Sequence, residues 1–254
     1  MNNTIPKNNI VKEIFARIWA VWALLAFVAT FLIVLLPSMA SYLFKSYKQG
    51  QKYFIFLAKC WMNVWLPLVG CPLKVFGKEN FKDGENYIVT FNHNALLDVP
   101  LSSPYVPGAN KTIAKSSFAK IPLFGWYYTR GSVLVNRKNE KSRIESFEKM
   151  KAVLQEGMHL CIYPEGTRNR TNQPLKPFYD GAFKLAVETG KPIMPCILKG
   201  TKEAMPIHKS FYLFPHKLSM KFLPPVSSEN ISAKELKEKV FDIMWTEYTS
   251  TANK

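Results

Sequence analysis

A histidine and an aspartate five residues apart are the side chains in this sequence whose spacing most clearly favours chemistry. His93 and Asp98 bound the segment His93-Asn-Ala-Leu-Leu-Asp98, in a chain with only four His and four Asp. A chance match to this spacing is expected roughly 0.06 times. A carboxylate that binds one ring nitrogen fixes the tautomer of the imidazole and leaves the other nitrogen free as a general base. Taken alone, the pair is equally compatible with a histidine in a solvated loop.

The chain contains no serine nucleophile for such a base, since no Gly-x-Ser-x-Gly elbow occurs, and it also lacks a Gly-x4-Gly-Lys phosphate loop. The nucleophile is therefore expected to belong to the substrate, as a hydroxyl that loses its proton while it attacks an activated acyl group. A soluble α/β hydrolase is disfavoured because its serine elbow is missing.

A second cluster of reactive side chains lies in Tyr163-Pro-Glu-Gly-Thr-Arg168. Gly166 allows a tight turn, Thr167 supplies a hydroxyl and a backbone N–H, and Arg168 supplies a planar fork suited to phosphate. Glu165 could hold that fork in position or bind a substrate hydroxyl.

A second arginine, Arg137, ends the segment Gly131-Ser-Val-Leu-Val-Asn-Arg137. Two arginines at strand ends, near a general base at the end of a third strand, indicate a phosphate-bearing hydroxyl substrate. Each arginine alone is weak support, because an arginine at a strand end is usually just solvated.

The elements that must position these groups follow from the hydrophobic pattern. On a regular helix the side chains of His93 and Asp98 would lie roughly 140° apart, so they can meet only if His93 is in a turn and Asp98 reaches back. The apolar run Tyr87–Phe91 predicts a strand directly before that turn. Reactive groups in α/β proteins commonly lie where a strand leads into a helix.

The rest of the body alternates short apolar runs with amphipathic stretches, which predicts an α/β domain. Further strands are predicted at Val133–Asn136, Leu160–Tyr163, Ile193–Leu198 and Ser219–Leu223, and helices at Arg143–Gln155 and Phe178–Glu188. A capping box, Ser232-Ala-Lys-Glu235, predicts the start of a last helix.

The N-terminal part has the pattern of a membrane segment. From Ile18 to Leu36 the chain carries no charge, and about nineteen helical residues suffice to cross roughly 30 Å of hydrocarbon. A retained anchor is favoured over a cleaved signal peptide, because Ser38-Met39-Ala40 is only a weak cleavage site. A buried core helix this apolar would need protein on every side.

A second apolar stretch, Tyr53–Val69, is interrupted by Lys59, Asn63 and Pro67 and contains two tryptophans. This pattern suits a helix in the headgroup zone, or one that returns part-way through a leaflet. The two stretches together predict a helical hairpin. Basic residues flank both ends of the first helix, so the positive-inside rule does not decide its orientation.

The net charge of +16 predicts attraction to a polyanion, namely nucleic acid, an anionic membrane surface or a phosphorylated substrate. The Lys and Arg residues are spread along the chain and no nucleic-acid motif occurs, so nucleic acid is disfavoured. Lys45, Lys48 and Lys52 lie beside the hairpin, where they would face an anionic bilayer. The four Cys form no C-x-x-C pair, so a zinc site is not supported.

Four blocks occur in a highly specific order and spacing. They are Asn92 to Asp98, Gly131 to Arg137, Tyr163 to Arg168, and Pro192-Ile193-Met194-Pro195. In this order they resemble the 1-acyl-sn-glycerol-3-phosphate acyltransferases, which are the lysophosphatidate acyltransferases of the wider glycerolipid acyltransferase family. Together with the stretch from Lys115 to Trp126, the resemblance covers about residues 70–225.

The resemblance implies roles for individual residues. His93 would be the general base, Asp98 its orienting partner, and Lys115 a stabiliser of the oxyanion. Substrate binding, mainly of the glycerol phosphate, would fall to Asn92, Arg137, Glu165, Gly166, Thr167 and Arg168. The block Pro192, Ile193, Met194 and Pro195 would shape the acyl-donor region. The resemblance implies neither a metal nor a cofactor. It implies acyl-CoA or acyl-carrier protein as the co-substrate.

The implied reaction is transfer of a fatty acyl group to the sn-2 hydroxyl of 1-acyl-sn-glycerol 3-phosphate, which gives phosphatidate. Another lysophospholipid or a lyso-aminolipid is the alternative acceptor, and a non-catalytic, basic, membrane-tethered binding protein is the remote alternative. We expect a mixed sheet flanked by helices at residues 71–254, behind a membrane-associated hairpin at residues 1–70. The expected location is a bacterial inner membrane with the active site on the cytoplasmic side. This side agrees with the Asn-x-Ser/Thr match at Asn169, because a glycan there would obstruct the proposed site next to Arg168.

Overall fold

The protein folds around one mixed sheet. A computed structural model describes residues 7–136 and 139–250. Its strands are β1 (Leu73–Phe76), β2 (Ile88–Phe91), β3 (Asn110–Lys115), β4 (Ser132–Val135), β5 (His159–Ile162), β6 (Ile193–Lys199) and β7 (Leu218–Phe222). Their order in the sheet is β1-β7-β6-β2-β5-β3-β4.

Helices connect and cover these strands. They are α1 (Lys7–Met39), α2 (Tyr47–Leu68), α3 (Asp98–Tyr105), α4 (Phe124–Gly131), α5 (Glu140–Gln155), α6 (Gly181–Thr189), α7 (Thr201–Ala204) and α8 (Ala233–Ser250), with short 3-10 turns at Ala40–Leu43, Lys78–Asn80 and Ser116–Lys120.

Five neighbouring strands run in the same direction. β6, β2, β5, β3 and β4 are parallel, whereas β7 is antiparallel to β6 and carries β1 parallel to itself. The carboxyl ends of the five strands therefore meet at one edge, here called the carboxyl edge. The predicted mixed α/β sheet flanked by helices is confirmed, and the N-terminal apolar helix is a candidate membrane segment.

The predicted strands are present, with ends shifted by about one residue. The strands β1 and β3 were not predicted from the sequence pattern. β3 begins with Asn110, Lys111 and Thr112, which are all buried in spite of their polarity. Such a strand carries no apolar signature, because its burial comes from the helix and the strands around it. The capping box is confirmed, since Ser232 Oγ accepts a bond of 3.2 Å from Glu235 N and Glu235 Oε2 accepts one of 3.0 Å from Ser232 N.

Both faces of the sheet are covered. Alternate residues of β2 point to opposite faces, so Val89 and Phe91 belong to one apolar core and Ile88 to the other. The first core includes residues of the hairpin α1–α2 and of α3, and the second includes residues of α5, α6 and α8. The hairpin therefore packs on the same sheet that carries the predicted reactive groups.

The second apolar stretch packs one face against protein, while its place in the headgroup zone or part-way through a leaflet stays a prediction. It forms the continuous helix α2, and its residues Phe54, Met62 and Leu66 are only 2%, 1% and 1% exposed. This burial follows from the sequence pattern, because the apolar residues recur at helical spacing and so form one stripe that packs against protein.

Helix α1 covers α2 and leaves its own outer face exposed. The segment Ile10–Leu43 contains an 18-residue window with a mean hydropathy of 2.6, of which 28% is buried, and it is long and apolar enough to cross a membrane. Its inner face is tied to α2 by indole hydrogen bonds, including Trp61 Nε1 to Thr30 Oγ1 at 2.8 Å and Trp65 Nε1 to the carbonyl of Ala23 at 3.1 Å. Thr30, the one polar side chain in the predicted span, thus has a partner inside the protein.

Candidate active site

The site begins where β2 ends at the carboxyl edge. The side chain of Asn92 is fully buried there, accepts a hydrogen bond of 2.7 Å from the N–H of Leu198 and donates one of 2.9 Å to the carbonyl of Leu198. This amide continues the ladder between β2 and β6 for one more residue. Asn92 was expected to bind substrate, but its polar side-chain atoms are already bonded to the backbone of Leu198. These bonds hold the point at which the chain leaves the sheet.

His93 and Asp98 meet across the turn that follows. Asp98 is the first residue of α3, and its Oδ2 lies 2.9 Å from His93 Nδ1. The same oxygen accepts bonds from the N–H groups of Asn94 at 2.6 Å and Ala95 at 2.7 Å. Because the carboxylate can only accept, Nδ1 carries the proton and Nε2 of the neutral imidazole keeps its lone pair. The Asp98 side chain is completely buried, whereas that of His93 is 15% exposed.

The loop after β5 holds His93 from the other side. The ring of Tyr163 lies with its centroid 4.3 Å from that of His93, and its hydroxyl donates a 2.8 Å bond to the carbonyl of Asp98. The N–H of His93 donates to Glu165 Oε1 at 2.7 Å, and the N–H of Asn169 donates to the carbonyl of His93 at 2.6 Å. Both backbone polar groups of the histidine are therefore fixed by one loop.

Glu165 is turned into the protein. Its side chain has no exposed surface, and its second oxygen accepts a 3.1 Å bond from the N–H of Lys176. Burial raises the pKa of Glu165 to about 7, although its two N–H donors and the nearby Lys176 charge act in the opposite direction. In this position Glu165 links the turn carrying His93 to the segment around Lys176.

The predicted phosphate turn is formed by the residues after Glu165. Gly166 has a positive φ of 72°, which glycine adopts without strain, and the N–H of Thr167 bonds the carbonyl of Glu165 at 2.8 Å. The hydroxyl of Thr167 accepts a 2.7 Å bond from Lys176 Nζ. Arg168 is half-buried and makes no hydrogen bond or ion pair with any residue that the structure describes. Its guanidinium is thus available to an anion, and Arg168 belongs to the loop whose residues Glu165 and Asn169 bond the backbone of His93.

Lys115 lies at the same edge but further along the sheet. It is exposed and ends β3, and the pairs Thr112↔Cys161 and Thr90↔Ile162 put it level with Asn92. Because β3 is two strands away from β2, the two strand axes are about 10 Å apart.

Arg137, which was predicted to help bind the substrate phosphate, lies outside the described residues.

The block Pro192, Ile193, Met194 and Pro195 is not brought to the other residues. Ile193 pairs with Ile88 and Pro195 with Thr90, so the block lies in the amino-terminal half of β6. At the rise of a strand, the level of Ile193 is about 16 Å from that of His93 and the level of Pro195 is about 10 Å from it. Ile193 and Met194 are fully buried, so these side chains influence the carboxyl edge only through the sheet.

Sequence reasoning missed the contribution of the last helix. The hydroxyl of Tyr248, near the end of α8, accepts a 3.2 Å bond from Asn94 Nδ2, next to the candidate base. Lys199 Nζ at the end of β6 donates to the carbonyls of Glu247 at 3.2 Å and Tyr248 at 2.9 Å. The capping box predicts where this helix begins, but no sequence signal indicated that its other end reaches the turn after β2.

No group of three or more His, Cys, Asp and Glu is placed to hold a metal ion in the described part of the chain. The chemistry assembled at the carboxyl edge consists of an imidazole oriented by a buried carboxylate, an arginine beside it, and a lysine level with it.

Curated proteins that are similar to this chain in sequence are named as acyltransferases. The 1-acyl-sn-glycerol-3-phosphate acyltransferase of Saccharomyces cerevisiae is 29% identical over 194 residues, which are 74% of this chain and 63% of that protein. The protein of the same name from Cocos nucifera is 31% identical over 181 residues, or 70% of this chain and 57% of that protein. The chain thus spans less than two thirds of the length of these two relatives. A bacterial relative of that name, from Borreliella burgdorferi, is 33% identical over 154 residues, or 58% of this chain and 59% of that protein.

A solved structure shares the fold. The crystal structure of the 1-acyl-sn-glycerophosphate (LPA) acyltransferase PlsC from Thermotoga maritima matches with a TM-score of 0.78 at 23% identity, over 96% of this chain and 98% of that chain. The family model described as Acyltransferase matches residues 72–199, about half of the chain, and includes every predicted site residue. The chain therefore belongs to the acyltransferase family.

Proposed function

We propose that this protein transfers a fatty acyl group from a thioester to the sn-2 hydroxyl of 1-acyl-sn-glycerol 3-phosphate and so forms phosphatidate. The proposal rests on the 2.9 Å contact between His93 Nδ1 and Asp98 Oδ2 at the carboxyl edge of this acyltransferase sheet. The names of the curated relatives support lysophosphatidate as the acceptor.

In the proposed reaction His93 acts first as base and then as acid. Its Nε2 takes the proton of the substrate hydroxyl while the hydroxyl oxygen attacks the thioester carbonyl carbon. The C–O bond forms, the C–S bond breaks, and the proton passes from the imidazolium to the leaving thiolate. Asp98 stabilises the imidazolium and keeps Nε2 directed away from itself. The acyl group passes directly to the acceptor, so no acyl-enzyme and no cofactor is needed.

Lys115 would stabilise the negative charge that develops on the thioester oxygen. Its exposed position at the end of β3, level with Asn92, supports this role. A preorganised charge near a developing oxyanion lowers the barrier, because the charge interacts more strongly with the transition state than with the substrate.

Arg168 and Arg137 would bind the substrate phosphate. The support for Arg168 is its half-buried guanidinium, which lacks a partner among the described residues, and the bond that holds the adjacent Thr167 to Lys176. A guanidinium fork matches the oxygens of a phosphate monoester. This argument favours a phosphate acceptor over a lyso-aminolipid.

Residues 1–70 would form the membrane anchor and residues 71–254 the catalytic domain, with the carboxyl edge on the cytoplasmic side of a bacterial inner membrane. The support is the exposed apolar face of Ile10–Leu43, next to the basic residues Lys45, Lys48 and Lys52. Anionic lipid at the surface would attract these lysines by about 1 kcal/mol each. The donor, acyl-CoA or acyl-carrier protein, would approach from the aqueous side.

The test is an acyl-transfer assay with purified protein, labelled lysophosphatidate and each donor in turn. We expect phosphatidate from the wild type and none above background from His93→Ala, with unchanged folding by circular dichroism. His208→Ala, which removes a histidine of the loop before β7, is the matched control and should keep full activity. A panel of other lysolipids under the same conditions tests the acceptor.

Near-normal activity of a folded His93→Ala variant would contradict the mechanism. Faster acylation of a lysolipid without a phosphate monoester would contradict the acceptor assignment but leave the mechanism in place.

A further inference from the structure

A cavity of about 450 Å³ lies far from the candidate active site. Its lining includes Tyr47 at the start of α2, Lys111 near the start of β3 and Ser132 at the start of β4. Lys111 and Ser132 are near the amino-terminal ends of two parallel strands, so the cavity lies towards the edge of the sheet opposite to His93. We call it the amino-edge cleft.

Two cations are buried beside this cleft. Arg130 is only 3% exposed and Lys111 only 7%, and Lys111 Nζ and Arg130 Cζ lie 5.2 Å and 4.9 Å from the centroid of the same Tyr47 ring. The two charges are thus no more than about 10 Å apart. Burial, and secondly the Arg130 charge, lowers the pKa of Lys111 to about 8.

Neither cation forms an ion pair with a residue that the structure describes. All 18 Asp and Glu side chains are among the described residues, and none forms an ion pair with Arg130 or Lys111. Among the described residues Arg130 donates to neutral groups, including Ser41 Oγ at 2.9 Å, the Ser41 carbonyl at 3.4 Å and Gln51 Oε1 at 2.5 Å. Burying two like charges without a paired anion is unfavourable, so a bound anion would offset the part of this cost that these neutral partners leave.

The cleft adjoins the end of the candidate membrane span. That span ends at Leu43, and Arg130 contacts Ser41 and the ring of Tyr42 within it. Tyr42 and Leu43 are 58% and 84% exposed, an aromatic and apolar rim of the kind found at the depth of lipid headgroups. Lys149 is a second cation in the lining beside Lys111, while Glu156 is its only acid among the described residues.

We propose that the amino-edge cleft binds the phosphate-bearing headgroup of an anionic membrane lipid, with Lys111 as the contacting cation and the acyl chains along the rim at Tyr42 and Leu43. Tyr47, Thr129 and Ser132 supply hydroxyl groups for the phosphate oxygens. The proposal is independent of the reaction assigned to His93, because the two sites lie at opposite edges of the sheet.

Native mass spectrometry of the detergent-solubilised full chain tests this site. The protein is mixed with equal amounts of phosphatidylglycerol and phosphatidylcholine that carry the same acyl chains. We expect one phosphatidylglycerol to be retained with at least tenfold preference in the wild type. Lys111→Met should abolish the preference, and Lys111→Arg should keep it.

Two controls separate the site from general charge effects. Lys74→Met removes an exposed lysine of β1, at the other end of the sheet, and should keep the preference. Arg168→Ala should also keep it, because Arg168 lies at the carboxyl edge. Lys149→Met is a second variant, in case Lys111→Met fails to fold, and should weaken the preference severalfold.

Equal retention of the two lipids by the wild type would overturn the proposal, as would an unchanged preference in folded Lys111→Met. Displacement of phosphatidylglycerol by an equal concentration of inorganic phosphate would also overturn it, because the occupant would then be a free anion. Loss of acyl transfer in His93→Ala leaves this outcome untouched, so the two proposals fail independently.

Discussion

The carboxylate of Glu165 accepts a 2.7 Å hydrogen bond from the backbone N–H of His93. The carbonyl of His93 accepts from the N–H of Asn169. The loop after β5 therefore forms hydrogen bonds with the backbone of the candidate base on both sides of its Cα atom. A side chain expected to contact substrate therefore positions the base. The orientation of the His93 ring depends on these two backbone hydrogen bonds as well as on the contact with Asp98.

Replacing Glu165 with Gln should lower kcat about tenfold or more with a smaller change in KM. A carboxylate accepts from both His93 N and Lys176 N, whereas a carboxamide has one acceptor oxygen and would leave one buried N–H without a partner, which costs about 1–3 kcal/mol. Steady-state kinetics with lysophosphatidate measures the effect, with exposed Glu145→Gln as the control. A rise in KM alone would indicate direct substrate binding by Glu165.

The free energy of unfolding should depend on pH through the protonation of Glu165. Burial raises its pKa from 4.5 to about 7, so between these values the folded protein binds a proton that the unfolded chain has released. The contribution of this group to the free energy of unfolding therefore falls as pH rises through that window, by up to about 3 kcal/mol.

Chemical unfolding in detergent at several pH values, for wild type and Glu165→Gln, measures this contribution. The stability of the wild type relative to the variant should decrease between about pH 4.5 and pH 7. A relative stability that increases over this window would contradict the assignment.

Changing Asp98 to Asn should lower kcat by about 10²–10⁴-fold while the protein stays folded. The uncharged carboxamide no longer stabilises the imidazolium, whereas its oxygen can still accept from His93 Nδ1 and the two backbone N–H groups, because all three share Oδ2 and Oδ1 has no partner among the described residues. The pH–rate profile and kcat of Asp98→Asn measure this, beside the exposed Asp242→Asn. Wild-type kcat in the first variant would exclude the pair as the catalytic centre.

Changing Arg168 to Ala should raise KM for lysophosphatidate about ten- to hundredfold, because a hydrogen bond to a charged group contributes about 1.5–3 kcal/mol. The effect on kcat should be smaller, since the phosphate is bound alike in substrate and transition state. Arg170→Ala, two residues away and exposed, is the matched control. Equal KM values for the two variants would remove Arg168 from the phosphate site.

Changing Tyr248 to Phe should lower kcat severalfold without changing KM. The hydroxyl is the acceptor for Asn94 Nδ2, and Asn94 lies between His93 and Asp98 in the catalytic turn. A double-mutant cycle with Asn94→Ala measures the coupling, which should be close to the whole effect of Tyr248→Phe. Tyr179→Phe, at an exposed position, is the control. Additive effects of the two changes would show that Tyr248 does not act through Asn94.

The local parts of the site are readable from sequence. The spacing of His93 and Asp98 excludes a shared helix face, and the apolar run before them predicts the strand, so the turn between them was expected. Helical periodicity and the capping box likewise predicted α5 and α8. In each of these cases the deciding contacts are between residues close in the chain.

The tertiary structure decided which way each side chain of the motifs points. Glu165 and Asn92 lie in motifs that predicted substrate contacts, yet their polar atoms bind the backbone of His93, Lys176 and Leu198. Spacing along the chain cannot distinguish an acid that faces substrate from one that faces a neighbouring loop, because that loop is brought alongside only by strand order.

Strand order also determined which distant segments meet. The order of the sheet puts the ends of β2, β5 and β3 side by side, and it leaves Pro192–Pro195 at the opposite half of β6. The sequence by itself predicted the turn that joins His93 to Asp98, the turn at Gly166 and the apolar hairpin. Only the packed sheet brought Tyr248 to Asn94, and Arg130 and Lys111 to one Tyr47 ring, since such contacts depend on the burial of whole elements.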